Sequence, residues 1–278
     1  MKNLGRVLGV LLLVLGASDV AFAGAWTQGQ FNSYHKLSAA YYASAQEYDD
    51  SGHVVPSTGE KYYQDISYTY YSEFGLLDPV DLSLSLPYKT AYVNDEERTA
   101  EFGGIGDVEG GLKLRLYQSE AAGVFAIQGK YKYSGFYDEN DLALPPGQGQ
   151  DDIEGRLLYG RSLWPYGYVG LEAGYRVRFD EPSDEYKYLV EYGISFDPVS
   201  LRVKLDGSES AKNADDTFQG AQVDPTSGLE ASYGKVEFAV GVHLVGPLSV
   251  EGAAATSVYG KQTSYGHTYT GAVVLQFK

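Results

Sequence analysis

The feature that most constrains the fold is a two-residue alternation between Gly104 and Tyr117. From Val108 onward, the apolar residues fall on one parity and the charged residues on the other. Successive Cβ atoms of a strand point to opposite faces of a sheet, so this period predicts a β-strand. About ten residues of alternation exceed an ordinary half-buried strand. The pattern is typical of a membrane-barrel strand, apolar toward lipid and polar toward the lumen.

The N-terminal 23 residues predict a secretory signal peptide. Lys2 and Arg6 precede an apolar run from Val7 to Leu15, and Ala21-Phe22-Ala23 is a small-x-small cleavage pattern. The apolar run is about half the roughly 20 residues that a spanning helix needs. We therefore expect cleavage before Gly24, with residues 24–278 forming one barrel domain.

Composition narrows the compartment and the partners. The 278 residues carry a formal net charge of −16, which argues against nucleic acid as a partner. There is no cysteine, which excludes both a disulfide and a lipid-modified N-terminal cysteine. The 26 tyrosines suit a boundary between water and lipid, because the ring is apolar and the hydroxyl can stay wet. With no long apolar segment after the signal, a membrane location requires a closed barrel.

The same alternation recurs along the whole chain and predicts twelve strands. Five short turns alternate with six longer polar loops, as in barrels with short periplasmic turns and long extracellular loops. The expected fold is therefore an all-β, transmembrane, antiparallel up-and-down barrel in the bacterial outer membrane. The predicted strands lie near residues 36–46, 62–74, 82–89, 104–117, 124–136, 151–163, 169–178, 186–195, 199–206, 235–243, 248–258 and 269–277.

A soluble β-sandwich or lipocalin-like barrel is the alternative fold. It would place the Leu, Val and Tyr parity inside, and twelve rows of large side chains exceed the interior of small soluble barrels, which fill with about eight strands. The last predicted strand, Tyr269 to Phe277, ends on an aromatic residue followed by Lys278. It resembles the terminal strand that barrel-insertion machinery reads, so this machinery is an expected partner.

The charged parity supplies the candidate lumen-lining residues, which interleave both signs. Basic members are the more numerous, so one interpretation is a cation-rich pore wall that selects small acidic or polar solutes. The other is a set of cross-strand ion pairs, for example Lys113 and Arg115 with Glu154 or Glu172. The sequence leaves both interpretations open. The candidates are Asp107, Glu109, Lys113, Arg115, Lys130, Lys132, Glu154, Arg156, Glu172, Arg176, Arg178, Glu191, Arg202, Lys204, Glu237 and Glu251.

The excess negative charge is expected in the loops, at a solvated rim beside outer-membrane lipid and lipopolysaccharide. The acidic loop residues are Asp49, Asp50, Asp95, Glu96, Glu97, Asp138, Glu139, Asp184, Asp215 and Asp216.

Catalysis is not expected. No histidine lies in a Gly-x-Ser-x-Gly or His-x-Ser setting, and only the reverse order occurs, at Ser33-Tyr34-His35 before the first predicted strand and at Ser51-Gly52-His53 in a loop. The Gly104-Ile105-Gly106 segment lacks the helix that a dinucleotide fingerprint requires. We predict no catalytic residue, cofactor or metal site.

Three segments resemble the phenol-degradation meta-pathway outer-membrane proteins. They are Phe102 to Leu116, the Ser-Leu-Pro-Tyr segment Ser85 to Tyr88, and Gly147 to Asp152 in a Gly-x-Gly-x-x-Asp pattern. The resemblance implies an outer-membrane barrel that passes small, often aromatic or hydrophobic compounds. We therefore expect a monomeric channel for small aromatic or acidic solutes. The alternative is a non-conducting barrel whose acidic loops contact a surface polysaccharide or a partner protein.

Overall fold

The computed structural model describes residues 24–57, 62–94, 99–137, 146–214 and 227–278. The predicted signal peptide lies outside this range, as do seven of the acidic loop residues: Asp95, Glu96, Glu97, Asp138, Glu139, Asp215 and Asp216. No helix in the described ranges is long and apolar enough to cross a membrane.

The described residues form thirteen β-strands. In chain order they are β1 (Ser33–Tyr48), β2 (Val54–Pro56), β3 (Tyr62–Leu77), β4 (Val80–Asn94), β5 (Thr99–Ile105), β6 (Val108–Ser119), β7 (Gly123–Tyr133), β8 (Asp152–Ser162), β9 (Tyr168–Arg178), β10 (Glu185–Phe196), β11 (Val199–Ser210), β12 (Ser227–Val245) and β13 (Leu248–Phe277).

Eleven of these strands form one closed antiparallel ring. Each pairs with its neighbours in chain order, and β13 closes the ring by pairing with β1 from Phe277 opposite Ser33 to Thr263 opposite Tyr48. The two remaining strands extend existing ones: β5 and β6 both pair with β4, and β2 pairs with the end of β1. Closure leaves no continuous sheet edge, which is what a membrane-spanning sheet requires.

The long strand β13 is a hairpin. Its first half pairs with β12 and its second half with β1, and the Gln276 N–H donates to the Pro247 carbonyl at 2.9 Å. The chain reverses at Gln262, whose φ is 49°. Because every neighbour in the ring is antiparallel, the number of strands around the ring must be even. Counting the two arms of β13 separately gives the twelve strands that were expected. The predicted loop from Gly260 to Gly266 is wrong, since a tight reversal replaces it.

The strand containing the most regular alternation is interrupted. At Gly106 and Asp107 the chain leaves the ladder between β5 and β6, and the Gly106 N–H donates to the Pro87 carbonyl at 3.0 Å. Proline has no N–H to donate, so the irregularity expected at Pro87 is confirmed. The acidic loop predicted from Asn94 to Gly103 is too long, because β5 already begins at Thr99.

The two faces of the wall separate as the alternation predicts. On β6, the side chains of Leu112, Leu114 and Leu116 are exposed, whereas Lys113 is 2% exposed. Buried polar residues and exposed large apolar residues are the reverse of a soluble protein. The apolar parity therefore forms the outer face, and the polar parity faces the lumen.

The N-terminal segment, residues 24–32, lies inside the barrel at the end where the short turns are. Ala25 is 1% exposed and clusters with Val124, Ala126 and Leu158 on the inner faces of β7 and β8. The neighbouring Trp26 packs its ring edge against Tyr168, with 5.8 Å between centroids. This segment fills part of the lumen before the chain enters β1.

Gly75 makes the entry of this segment possible. The Phe31 N–H donates to the Gly75 carbonyl, and the Gly75 N–H donates to the Asn32 carbonyl. A Cβ on Gly75 would lie 1.7 Å from the Gly29 carbonyl oxygen, so no other residue fits where the two backbones meet.

Candidate functional site

The predicted lumen residues lie on the inner face and are mostly engaged in ion pairs. At the turn end, the Lys113 ammonium lies 3.1 Å from Glu73 and 3.3 Å from Asp81. All three side chains are at most 5% exposed. The N-terminal segment joins this cluster, because the Gln28 side-chain amide donates to Glu73 at 2.8 Å and the Gln28 N–H donates to Asp81. The expected pairing of Lys113 with Glu154 or Glu172 is wrong, since these carboxylates pair with Arg156 and Arg176 on the neighbouring strands β8 and β9.

Two arginines organise the centre of β6 to β9. The Arg176 guanidinium lies 2.7 Å from Glu154 and 3.0 Å from Glu109. The Arg156 guanidinium lies 2.6 Å from Glu172 and also bonds Glu154. Guanidinium groups present several donors in one plane and can neutralise two carboxylates at once. The inner face from β6 to β9 is therefore held together by one connected set of ion pairs.

A second network covers β10 to β13 and β1. Arg202 lies 3.1 Å from Glu251, 3.3 Å from Glu237 and 3.6 Å from Glu191. Lys204 lies 3.5 Å from Glu237. Basic and acidic side chains are paired with each other here, as they are around Arg156 and Arg176.

The loop end has a third network, reached by a loop that folds inward. Lys132 lies 2.8 Å from Asp152 and 3.3 Å from Asp107, and Arg178 lies 2.7 Å from Glu185. The Gln148 N–H donates to Asp107 at 2.9 Å. A Cβ on Gly147 would lie 2.2 Å from Asp107, which explains the glycine that opens the Gly-x-Gly-x-x-Asp segment.

Two candidates stand apart. Neither Arg115 nor Lys130 has a carboxylate within ion-pair distance in the described part of the chain, although both side chains are half-buried on the inner face. Arg115 lies at the turn end, where its backbone N–H donates to the Pro79 carbonyl at 2.8 Å.

A cavity of about 750 Å³ remains at the turn end, beside the N-terminal segment. It lies against β9 to β13 and β1, and Tyr34, Tyr168 and Arg202 line its inner side. Tyr168 separates it from Trp26 and donates its hydroxyl to Glu191 at 2.6 Å. At this end of the lumen, the N-terminal segment lies against β7 and β8, and the cavity lies against β9 to β13 and β1.

At the loop end, Asp184 holds two outer loops together. Its carboxylate accepts hydrogen bonds from the Arg178 backbone N–H at 2.8 Å, the Tyr175 hydroxyl at 2.9 Å and the Asn213 side-chain amide at 3.0 Å. Burial alone would raise the pKa of Asp184, but these donors outweigh it and bring the pKa below its usual value. The ionised carboxylate is therefore the form that stabilises this contact.

We expect this loop contact to be lost at low pH. Because the folded pKa of Asp184 lies below the unfolded value, its stabilising effect is present above about pH 4 and is lost as pH falls through the folded pKa. Amide exchange at residues 180–184 and 211–214, corrected for intrinsic rates, should be slow at neutral pH and should become faster as the pH falls below the folded pKa of Asp184. Asp184→Asn should exchange fast throughout this range. Asp180→Asn is the matched control, since Asp180 bonds only the adjacent Glu181 N–H in the described residues; fast exchange in this control would contradict the role of Asp184.

The Ser33-Tyr34-His35 segment lies on a strand, which corrects the expectation that it precedes the first one. The β1 ladder begins at Ser33, and His35 faces outward beside Phe277 and Tyr70. Its ring nitrogens lie 3.1 Å from the Ser33 hydroxyl and 2.8 Å from the Tyr70 hydroxyl. The Ser51-Gly52-His53 segment remains in a turn, as expected.

Sequence reasoning did not single out Asp81, Glu73 or the N-terminal segment as parts of the site. Asp81 lies just before the third predicted strand, and Glu73 was not counted although it has inward parity. The segment had a detectable signal: Val124, Ala126 and Leu158 are apolar residues on a parity that is otherwise polar, which indicates a covered inner surface.

Structural comparison finds an outer-membrane channel from Pseudomonas putida F1 at a TM-score of 0.73 and 14% identity, covering 93% of this chain and 100% of that one. The chain has the fold of a bacterial outer-membrane β-barrel. The translocator domain of the autotransporter NalP from Neisseria meningitidis matches at a TM-score of 0.49 and 10% identity, covering 99% of this chain and 94% of that one. The CymD monoaromatic hydrocarbon channel matches at a TM-score of 0.48 and 9% identity, covering 90% and 89%. No family model and no curated protein matches the sequence, so the resemblance to the phenol-degradation proteins stays a prediction.

Proposed function

We propose that this protein is a monomeric outer-membrane channel through which small molecules diffuse. The observation that carries the proposal is the cavity of about 750 Å³, which the N-terminal segment leaves unfilled. A barrel serving only as a scaffold needs no such space. The fold shared with the Pseudomonas putida channel supports the proposal at the level of architecture.

The lining of the lumen favours small solutes with both polar and apolar parts. Its charges are largely neutralised in pairs, so the wall offers dipoles and ring faces more than a strong field of one sign. Tyr34 and Tyr168 place their rings beside Arg202 at the cavity. Small aromatic or acidic compounds match this lining. The sequence resemblance also implies aromatic compounds, and the basic residues of the inner parity favour acidic ones.

Single-channel current in planar bilayers tests the proposal. Ser200 lines the cavity, and Ser200→Trp should narrow it and lower the conductance to about half or less of the wild-type value, because current falls with the open cross-section. Ser119→Trp, at the last residue of β6 and outside the cavity lining, is the control and should conduct like the wild type.

Two outcomes would contradict the channel. A folded wild-type barrel that stays silent would support the alternative function, a barrel whose outer loops contact a polysaccharide or a partner. Equal conductance in Ser200→Trp and the wild type would show that current bypasses the cavity.

A further inference from the structure

Lysine side chains and tyrosine rings form an arc across the loop-end half of the lumen. Lys89 lies over the Tyr63 ring at 5.6 Å, and the Tyr63 ring packs against Tyr42 at 6.0 Å. Lys235 lies 5.9 Å from the Tyr42 ring and 4.9 Å from the Tyr233 ring. Lys187 completes the arc at 5.5 Å from Tyr233. Cations and ring faces thus run from β4 through β3, β1 and β12 to β10.

The central lysine differs from the two at the ends. Lys89 lies 3.5 Å from Asp65, and Lys187 lies 3.3 Å from Glu185. Lys235 has no carboxylate within ion-pair distance in the described residues, and its contacts there are the two rings. Asp206 lies opposite Lys235 in the ladder, but its carboxylate is directed to Lys204 at 3.4 Å. Cation–ring attraction compensates an ammonium only in part, so Lys235 keeps positive charge to offer to a ligand.

The rings beside Lys235 are placed to receive an apolar group. Tyr42 packs on the buried cluster of Tyr63, Ala91 and Val93, and the rings of Tyr42 and Tyr233 both remain partly exposed. Gly266 on β13 lets the Tyr42 ring lie close to the wall, since a Cβ there would come within 2.5 Å of the ring. Lys235 itself is half-buried.

We propose that Lys235, Tyr42 and Tyr233 form a binding subsite for a small aromatic carboxylate in the path of the channel. The carboxylate accepts hydrogen bonds from the Lys235 ammonium, and the aromatic ring packs against the tyrosines in an offset or edge-to-face arrangement. The subsite rests on the proposed channel function for its role in transport. Its binding chemistry can be measured without any current.

Benzoate binding to the detergent-solubilised protein, measured by titration calorimetry, tests the subsite. Lys235→Met removes the charge and keeps the length, and should weaken benzoate binding by at least about ten-fold, the usual effect of losing a charge-assisted hydrogen bond. Lys187→Met is the matched control, because Lys187 contacts the same Tyr233 ring but is already paired with Glu185. It should weaken binding by no more than about three-fold.

Cyclohexanecarboxylate, which has the same charge and no π system, should bind the wild type several-fold more weakly than benzoate. Equal benzoate affinity in Lys235→Met and the wild type, equal losses in both lysine variants, or equal binding of the two acids would each overturn the subsite. Benzoate binding that depends on Lys235 in a barrel that carries no current would uphold the subsite and reject the channel. A conducting barrel whose benzoate affinity does not depend on Lys235 would uphold the channel and reject the subsite.

Discussion

Lys113→Met should lower the free energy of unfolding by about 3–5 kcal/mol, the range for removing one partner of a buried ion pair. Lys113 is 2% exposed and is the cation between Glu73 and Asp81, which are 5% and 0% exposed. Without it, two enclosed carboxylates face each other with no compensating charge, and each resists desolvation. Urea unfolding in detergent micelles, followed by the gel shift between folded and unfolded barrel, measures the loss.

Lys130→Met is the matched control. Lys130 lies on the adjacent strand β7, faces the same lumen and has no carboxylate within ion-pair distance in the described residues. It should cost clearly less than Lys113→Met. Adding Glu73→Gln to Lys113→Met removes one of the unpaired charges and should recover part of the loss. Equal destabilisation by the two lysine variants would show that the ion pairs of Lys113 contribute little.

Deleting residues 24–32 should raise the single-channel conductance about two-fold or more, because the segment fills part of the lumen at the turn end and current follows the open cross-section. Ala25 and Trp26 pack against Leu158 and Tyr168, and Gln28 bonds Glu73 and Asp81. All of these contacts disappear with the segment. Planar-bilayer recordings measure the change.

A tethered variant separates obstruction from general damage to the barrel. The chain has no cysteine, so Ala25→Cys with Leu158→Cys introduces one pair of thiols in a cluster that already packs together. The oxidised form should conduct like the wild type. A deletion variant that folds and conducts no better than the wild type would show that the segment does not obstruct the path.

Alternation alone predicted the class of fold, because a period of two assigns each side chain to the lipid or to the lumen. The alternation also predicted the number of strands and placed Lys113, Arg176 and Arg202 on the inner wall. The ends of strands were less well predicted: Thr99 and Ser33 lie in ladders that extend past the regular alternation. The length of the last loop was also wrongly predicted. At Gln262 the backbone adopts a left-handed conformation and reverses the chain without a loop.

The pairing of the inner charges could not be read from the sequence. Lys113 could reach carboxylates on either side. The register of β4 and β6 places Asp81 directly opposite it, and Glu73 lies one strand further on, where Gln28 bonds both acids. The inward loop at Gln148 and the N-terminal segment are likewise set by the enclosed volume. Apart from the apolar inner residues Val124, Ala126 and Leu158, the local pattern does not indicate which segments fill the lumen.

The hairpin at the C-terminal end of the ring brings both ends of the wall to one rim. With an even number of strands, Ser33 and Phe277 are paired at that rim, where the short turns are. Outer-membrane barrels have their short turns on the periplasmic side, so we expect a reporter protein fused after Lys278 to face the periplasm and an epitope inserted beside Gln262 to be accessible to antibodies outside the cell. The position of a residue along the wall therefore predicts the side of the membrane on which it lies. Labelling of intact cells can test this without any measurement of transport.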